Sequence, residues 1–168
     1  MRIIRHISSF PKKLKGGAVA IGNFDGMHRG HQALIKQSRT LADLVRGPTL
    51  VLSFEPHPRS LFQPDAPPFR LTPFRSKARL LAGLGVDCLI SRRFDKQASL
   101  QSADDFIRDV LATGLGPRHV VVGYDFVFGH RRGGNVALLL EAGERLGFEV
   151  SVLEPVTHDD DVCSSTII

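Results

Sequence analysis

Apolar residues in this chain fall into two arrangements that alternate from one end to the other. Short continuous runs at 19–21, 49–54, 86–90, 119–122 and 148–153 have the length and composition of buried strands. Between them the apolar positions recur every three or four residues. Leu34, Ile35, Ser38, Leu41, Ala42 and Val45 do so after the first run, and segments 74–84, 102–113 and 136–146 follow the same period. Ser102 stands where an N-cap belongs, with Asp105 at the acidic position of a capping box. Strands and helices in strict alternation, with strands apolar throughout, predict an α/β fold: a five-stranded parallel sheet covered by helices on both faces. In such sheets the crossovers are right-handed and ligands lie beyond the carboxyl ends of the strands. Three unusual connections fall at that end: the glycine-rich turn at 22–31, the proline-rich loop at 55–73 and the glycine-rich loop at 123–134. Gln63 to Pro68, the one compositionally odd stretch, reads as a flap over the cleft these loops would form.

Composition adds limits rather than detail. A chain of 168 residues with 42% hydrophobic content fits one domain, residues 1–168. No apolar stretch approaches a membrane span, and the first residues lack the apolar core of a signal peptide, so the expectation is a cytoplasmic protein with no membrane partner. The two cysteines, Cys88 and Cys163, are far apart, which suits a reducing compartment; Cys88 reads as a small buried hydrophobe. The net charge of +5 suits either nucleic acid or small phosphorylated ligands. The basic residues are scattered, as in Arg92-Arg93 and Arg131-Arg132, and the chain has one Tyr and no Trp for base stacking. Small phosphorylated ligands, and no nucleic acid, are therefore expected. Neither charge nor pattern specifies an oligomeric state.

The most informative segment is GAVAIGNFDGMHRGHQALI, residues 17–35. An apolar run enters a turn with Gly22, Gly26 and Gly30 and leaves it as a helix carrying His28 and His31, which share a face if the helix begins there. A helix start has unsatisfied N–H donors and the positive end of the macrodipole, and glycines permit positive φ and close ligand approach, so the turn is a candidate phosphate site. A tight turn with solvated histidines, or a zinc site using both histidines and Asp25, remain alternatives.

The other two loops carry aromatic and polar groups. Pro56 and Pro58 bracket His57 and restrict its orientation, while Phe54, Leu61 and Phe62 offer apolar surface for a flat ring; a rigid loop with a capping histidine is the plainer reading. Residues 122–129, VGYDFVFG, place aromatics and Asp125 where they could frame a heterocycle or simply join the core. Ser164, Ser165 and Thr166 can contact phosphate, but such hydroxyls beside a helix start are commoner as a cap.

In order and spacing, GNFDGMHRGHQALI, FEPHPRSLF, RLT at 70–72, FIRDVL, VVGYDFVFGHRRGGN and the final SSTII resemble the adenylyltransferase domain of prokaryotic bifunctional riboflavin kinase/FMN adenylyltransferases, the FAD synthetases of the nucleotidyltransferase superfamily. The resemblance extends over nearly the whole chain. It implies a Rossmann-like nucleotidyltransferase fold and transfer of AMP from ATP to FMN, giving FAD and pyrophosphate with Mg²⁺. It implies catalytic roles for Asn23, Asp25, His28 and His31. Gly22, Phe24, Gly30, Ser164, Ser165 and Thr166 would bind ATP, and Pro56, His57, Pro58, Phe62, Asp125 and Phe128 would bind FMN; no metal ligands are assigned. Transfer to another phosphorylated acceptor, or flavin or nucleotide binding without catalysis, are the competing expectations. The family pattern commonly has Arg at the position of Val127 and Asp at that of Asn135. Its last motif continues to an arginine one residue beyond Ile168, and a riboflavin kinase domain follows; the expectation is a chain without that domain that binds flavin but transfers AMP poorly.

Overall fold

A computed structural model describes residues 1–24, 29–55 and 74–154, and the backbone of 157–158 and 161–162. The main sheet contains β1 (Arg2–Ile4), β2 (Ala18–Ile21), β3 (Thr49–Glu55), β4 (Cys88–Arg93), β5 (His119–Gly123) and β8 (Glu149–Leu153). All six are parallel, in the order β1-β4-β3-β2-β5-β8. Five match the apolar runs; the expected count of five is corrected by β1, which pairs Arg2 with Cys88 and Ile4 with Ile90 along the edge. Only Ile4 of its three residues is buried, so β1 does not stand out as an apolar run.

Both faces of the sheet are covered, as the unbroken apolar runs require. Val19, Ile21, Leu50, Leu52, Ile90, Val120 and Val122 join one core, whereas the alternate residues Ala20, Val51, Leu89 and Val121 join the other. Helices α1 (Arg29–Leu44) and α2 (Phe74–Gly83) supply Leu34, Ile35 and Leu81 to the second core. The first is closed by α4 (103–115) and by α5 (Val136–Leu146). Helix α4 is α-helical over Ala103–Asp105 and wound as a π-helix over Phe106–Leu115; it follows the short α3 (Lys96–Ser99). The Ser102 hydroxyl accepts from the Asp105 N–H at 3.1 Å, the expected cap, while the Asp105 carboxylate pairs with Arg108 at 2.7 Å. The stretch expected as one glycine-rich loop contains an antiparallel ribbon, β6 (Val127–Phe128) with β7 (Gly134–Asn135). A second ribbon joins β9 (Thr157–His158) to β10 (Asp161–Val162). Among the described residues no helix is long and apolar enough to cross a membrane.

Candidate active site

The turn after β2 is built from the end of the strand outward. The Gly22 N–H donates to the Leu52 carbonyl at 3.1 Å, which keeps the chain against β3 for one more residue. Phe24 then turns it with φ 55, a left-handed conformation that strains a bulky side chain. The ring is held by burial at 1% exposure in the core with Leu34 and Ile35, and its centroid lies 5.3 Å from that of His31. Positive φ therefore falls on Phe24 and not, as the glycine pattern suggested, on Gly22. Helix α1 runs from Arg29, so Gly30 and His31 lie near its start, at the positive end of the helix dipole. Asp25 and His28 lie outside the described residues, as does Gly26. With its ring in the core, Phe24 could meet a nucleotide only through its backbone.

A cleft of about 1230 Å³ opens at the carboxyl ends of the strands. Gly22 and Asn23 line one part of it, Arg92 another, and Asp125 and Phe128 a third. Aromatic rings run along its wall: Phe94 meets Phe54 edge-on at 6.0 Å, Phe54 lies 6.4 Å from Phe106, Phe106 is 5.4 Å from Phe128, and Phe128 stacks on Phe126 at 5.2 Å. Phe128 faces Gly134 across the β6–β7 ribbon, and a Cβ at Gly134 would sit 2.6 Å from the ring. Glycine is therefore required for the ring to take this position. The expected flavin residues Asp125 and Phe128 thus share the cleft with Gly22 and Asn23, while Pro56, His57, Pro58 and Phe62, together with Ser164, Ser165 and Thr166, lie outside the described residues.

Several cleft residues were not singled out by sequence. Arg92, at the end of β4, has its guanidinium carbon 6.0 Å from the Phe106 centroid, and burial lowers its pKa. Arg131 and Arg132 are exposed on the cleft wall with φ 53 and 55, two successive left-handed residues. The signal for Phe106 was only its place in an apolar helical period. Lys77 of α2, buried at 4% exposure, donates to the Asn23 carbonyl at 3.2 Å, to Ser53 Oγ at 3.3 Å and to Glu55 Oε1 at 3.2 Å. Asn135 caps α5, its Oδ1 accepting from the Leu138 N–H at 2.9 Å, a task an aspartate would perform equally. Val127 is exposed on the ribbon and lines the cleft. Among the described residues no group of three His, Cys, Asp or Glu could hold a metal ion.

A family model described as FAD synthetase matches residues 10–167. The chain belongs to the FAD synthetase family. Over 169 residues it is 38% identical to the bifunctional riboflavin kinase/FMN adenylyltransferase of Escherichia coli (strain K12), with 100% of this chain and 54% of that protein covered. The corresponding protein of Haemophilus influenzae is 39% identical over 168 residues, with the same coverages of 100% and 54%. This FAD synthetase family chain spans about half the length of the curated relatives it matches. Among solved structures, a macrolide-efflux protein from Streptococcus pneumoniae superposes with a TM-score of 0.85 at 24% identity, covering 98% of this chain and 53% of that one. A pantoate-beta-alanine ligase from Francisella tularensis gives 0.63 at 17% identity, covering 98% and 71%. At these identities the two structures speak to the fold alone, a parallel α/β sheet.

Proposed function

We propose that this chain transfers AMP from ATP to FMN. An oxygen of the FMN phosphate attacks the α-phosphorus, the bond from that phosphorus to the bridging oxygen of the β-phosphate breaks, and pyrophosphate departs as FAD forms. The observation that carries this reading is that one cleft joins Gly22 and Asn23, in the turn that leads to α1, to a wall of phenylalanines that offers apolar surface for a flat heterocycle. Membership of the FAD synthetase family supports the choice of flavin. No protein nucleophile is needed, so the rate would come from alignment of two anionic groups and stabilisation of charge on the departing phosphates. His31, the first turn of α1, Asn23, Asp25 and His28 would serve the triphosphate, with Gly22, Phe24 and Gly30 shaping the turn and Ser164, Ser165 and Thr166 adding phosphate contacts. Asp125, Phe128, Phe62, His57, Pro56 and Pro58 would surround the flavin.

Mg²⁺ fits this reading. Asn23 Oδ1 is a buried oxygen with no hydrogen-bond partner among the described residues, the kind of hard donor such an ion takes, and Mg²⁺ commonly binds through phosphates with few protein ligands. Bound with the triphosphate, it would offset phosphate charge. A cytoplasmic setting, where ATP is present and the buried Cys88 thiol stays reduced, belongs to the same proposal. Incubation with ATP, Mg²⁺ and FMN followed by chromatography should yield FAD. A nucleotide product only with a different phosphorylated acceptor, or retained flavin without turnover, would overturn the assignment.

A further inference from the structure

We propose that Lys77 is a positioning residue that fixes the nucleotide turn against the end of β3, and so sets the alignment of the two substrates; the inference rests on the transferase reading above. Its ammonium is almost fully buried and donates to oxygens from two separate segments. One is the Asn23 carbonyl in the turn after β2, at 3.2 Å. The other segment is the end of β3, through Ser53 Oγ at 3.3 Å and Glu55 Oε1 at 3.2 Å. Asn23 directly precedes Phe24, whose φ of 55 must be held in place, and Glu55 directly precedes the proline-rich segment assigned to flavin. One ammonium thus ties the nucleotide turn and the end of β3 to the start of α2. Lys77 itself does not line the cleft, so it acts through the groups it holds.

Burying a charge is costly, and an ion pair of this kind can often be replaced by apolar residues of similar volume with no loss of stability. Stability alone gives little reason for a lysine here. Methionine would fill the same space; only the ammonium reaches a backbone carbonyl in the turn after β2 and two side chains at the end of β3.

Four measurements on Lys77→Met and on Lys77→Met/Glu55→Gln test this. In the double variant, which leaves no buried carboxylate without its cation, the melting temperature should remain near that of the wild type. Its kcat for FAD formation should fall on the order of a hundredfold, as expected for an ångström-scale misalignment, while Kd values for FMN and for ATP measured singly change less than about threefold. Amide exchange at residues 22–24 should accelerate at least about tenfold, with β2 and β5 unaffected. A double variant with normal kcat, or with unchanged exchange in the turn, overturns the proposal. The exchange measurement decides the role of Lys77 even if the wild-type protein forms no FAD, an outcome that would instead remove the transferase reading. Should Lys77→Met alone fail to fold, the double variant carries the test.

Discussion

His31 gains its importance from position, since it stands near the start of α1, where the positive end of the helix dipole favours an anion. If it stabilises charge on the triphosphate, His31→Ala should lower kcat by roughly a hundredfold, the usual loss when one such donor is removed. FMN affinity, read by flavin fluorescence, should stay unchanged; equal turnover in the variant would exclude His31 from the mechanism. For the flavin end, burial decides which substitution is informative. Phe128 is 8% exposed and packs on Phe106 and Phe126, so truncation to alanine would cost about 3–5 kcal/mol of stability and blur any binding effect. Asp125 is exposed in the turn before the ribbon and lines the cleft, so its replacement leaves the core intact. Asp125→Asn should weaken FMN binding by about tenfold, the value of one charge-assisted hydrogen bond, and leave ATP binding alone. Weakened ATP binding with normal FMN affinity would mean that the two substrate ends have been exchanged.

At the scale of elements, the ribbon β6–β7 and helix α5 form one unit, because Asn135 ends the ribbon and begins the helix. Asn135→Ala should cost about 1 kcal/mol in a denaturation curve, the usual value of a lost N-cap, whereas Asn135→Asp should retain stability by accepting the same hydrogen bond beside the positive end of the helix. Much of this was readable in advance. Segments 74–84 and 136–146 nearly coincide with α2 and α5 because their apolar residues keep the helical period. The π-winding of α4 was not readable, since Phe106, Ile107, Val110 and Leu111 have the same spacing in an ordinary helix. Nor was the ribbon, whose strands are two residues each. A different element carries a pH dependence. His119, at the start of β5 and away from the cleft, has its Nε2 2.8 Å from Ser151 Oγ, and burial lowers its pKa, partly opposed by Glu149. The folded state then binds the proton less readily than the unfolded chain, so stability is full above the ordinary value of 6.5 and falls as pH drops through it toward the lowered folded value. His119→Gln should flatten that part of the melting temperature against pH; an unaltered slope would show that other groups cause it.

In the whole molecule, the residues that escaped sequence reading are those whose meaning is tertiary. Arg92 looks like half of an exposed basic pair until β4 carries it beside Phe106, and Lys77 looks like a surface helix residue until α2 turns it under the nucleotide turn. The turn itself, Asp125 and Phe128 were legible because each follows an apolar strand at the end where parallel sheets bind ligands. The cleft they share draws on both layers: Gly22 and Asn23 lead into α1 on one face, while Phe106 and Phe128 belong to the core on the other. A ligand there would bridge the layers, and its binding energy should appear as global stability rather than as ordering of one loop. At about 100 times its Kd a ligand adds about 2.7 kcal/mol, which for a domain of this size raises the melting temperature by roughly 5–10 °C. FMN should produce that shift alone, and Mg-ATP a separate one, in a thermal melt followed by circular dichroism. Slowed amide exchange should extend to α4 and to the β6–β7 ribbon with FMN but concentrate at residues 22–24 and 29–32 with Mg-ATP. If FMN protected only the latter, the flavin would have to be reassigned to the end of the cleft beside α1.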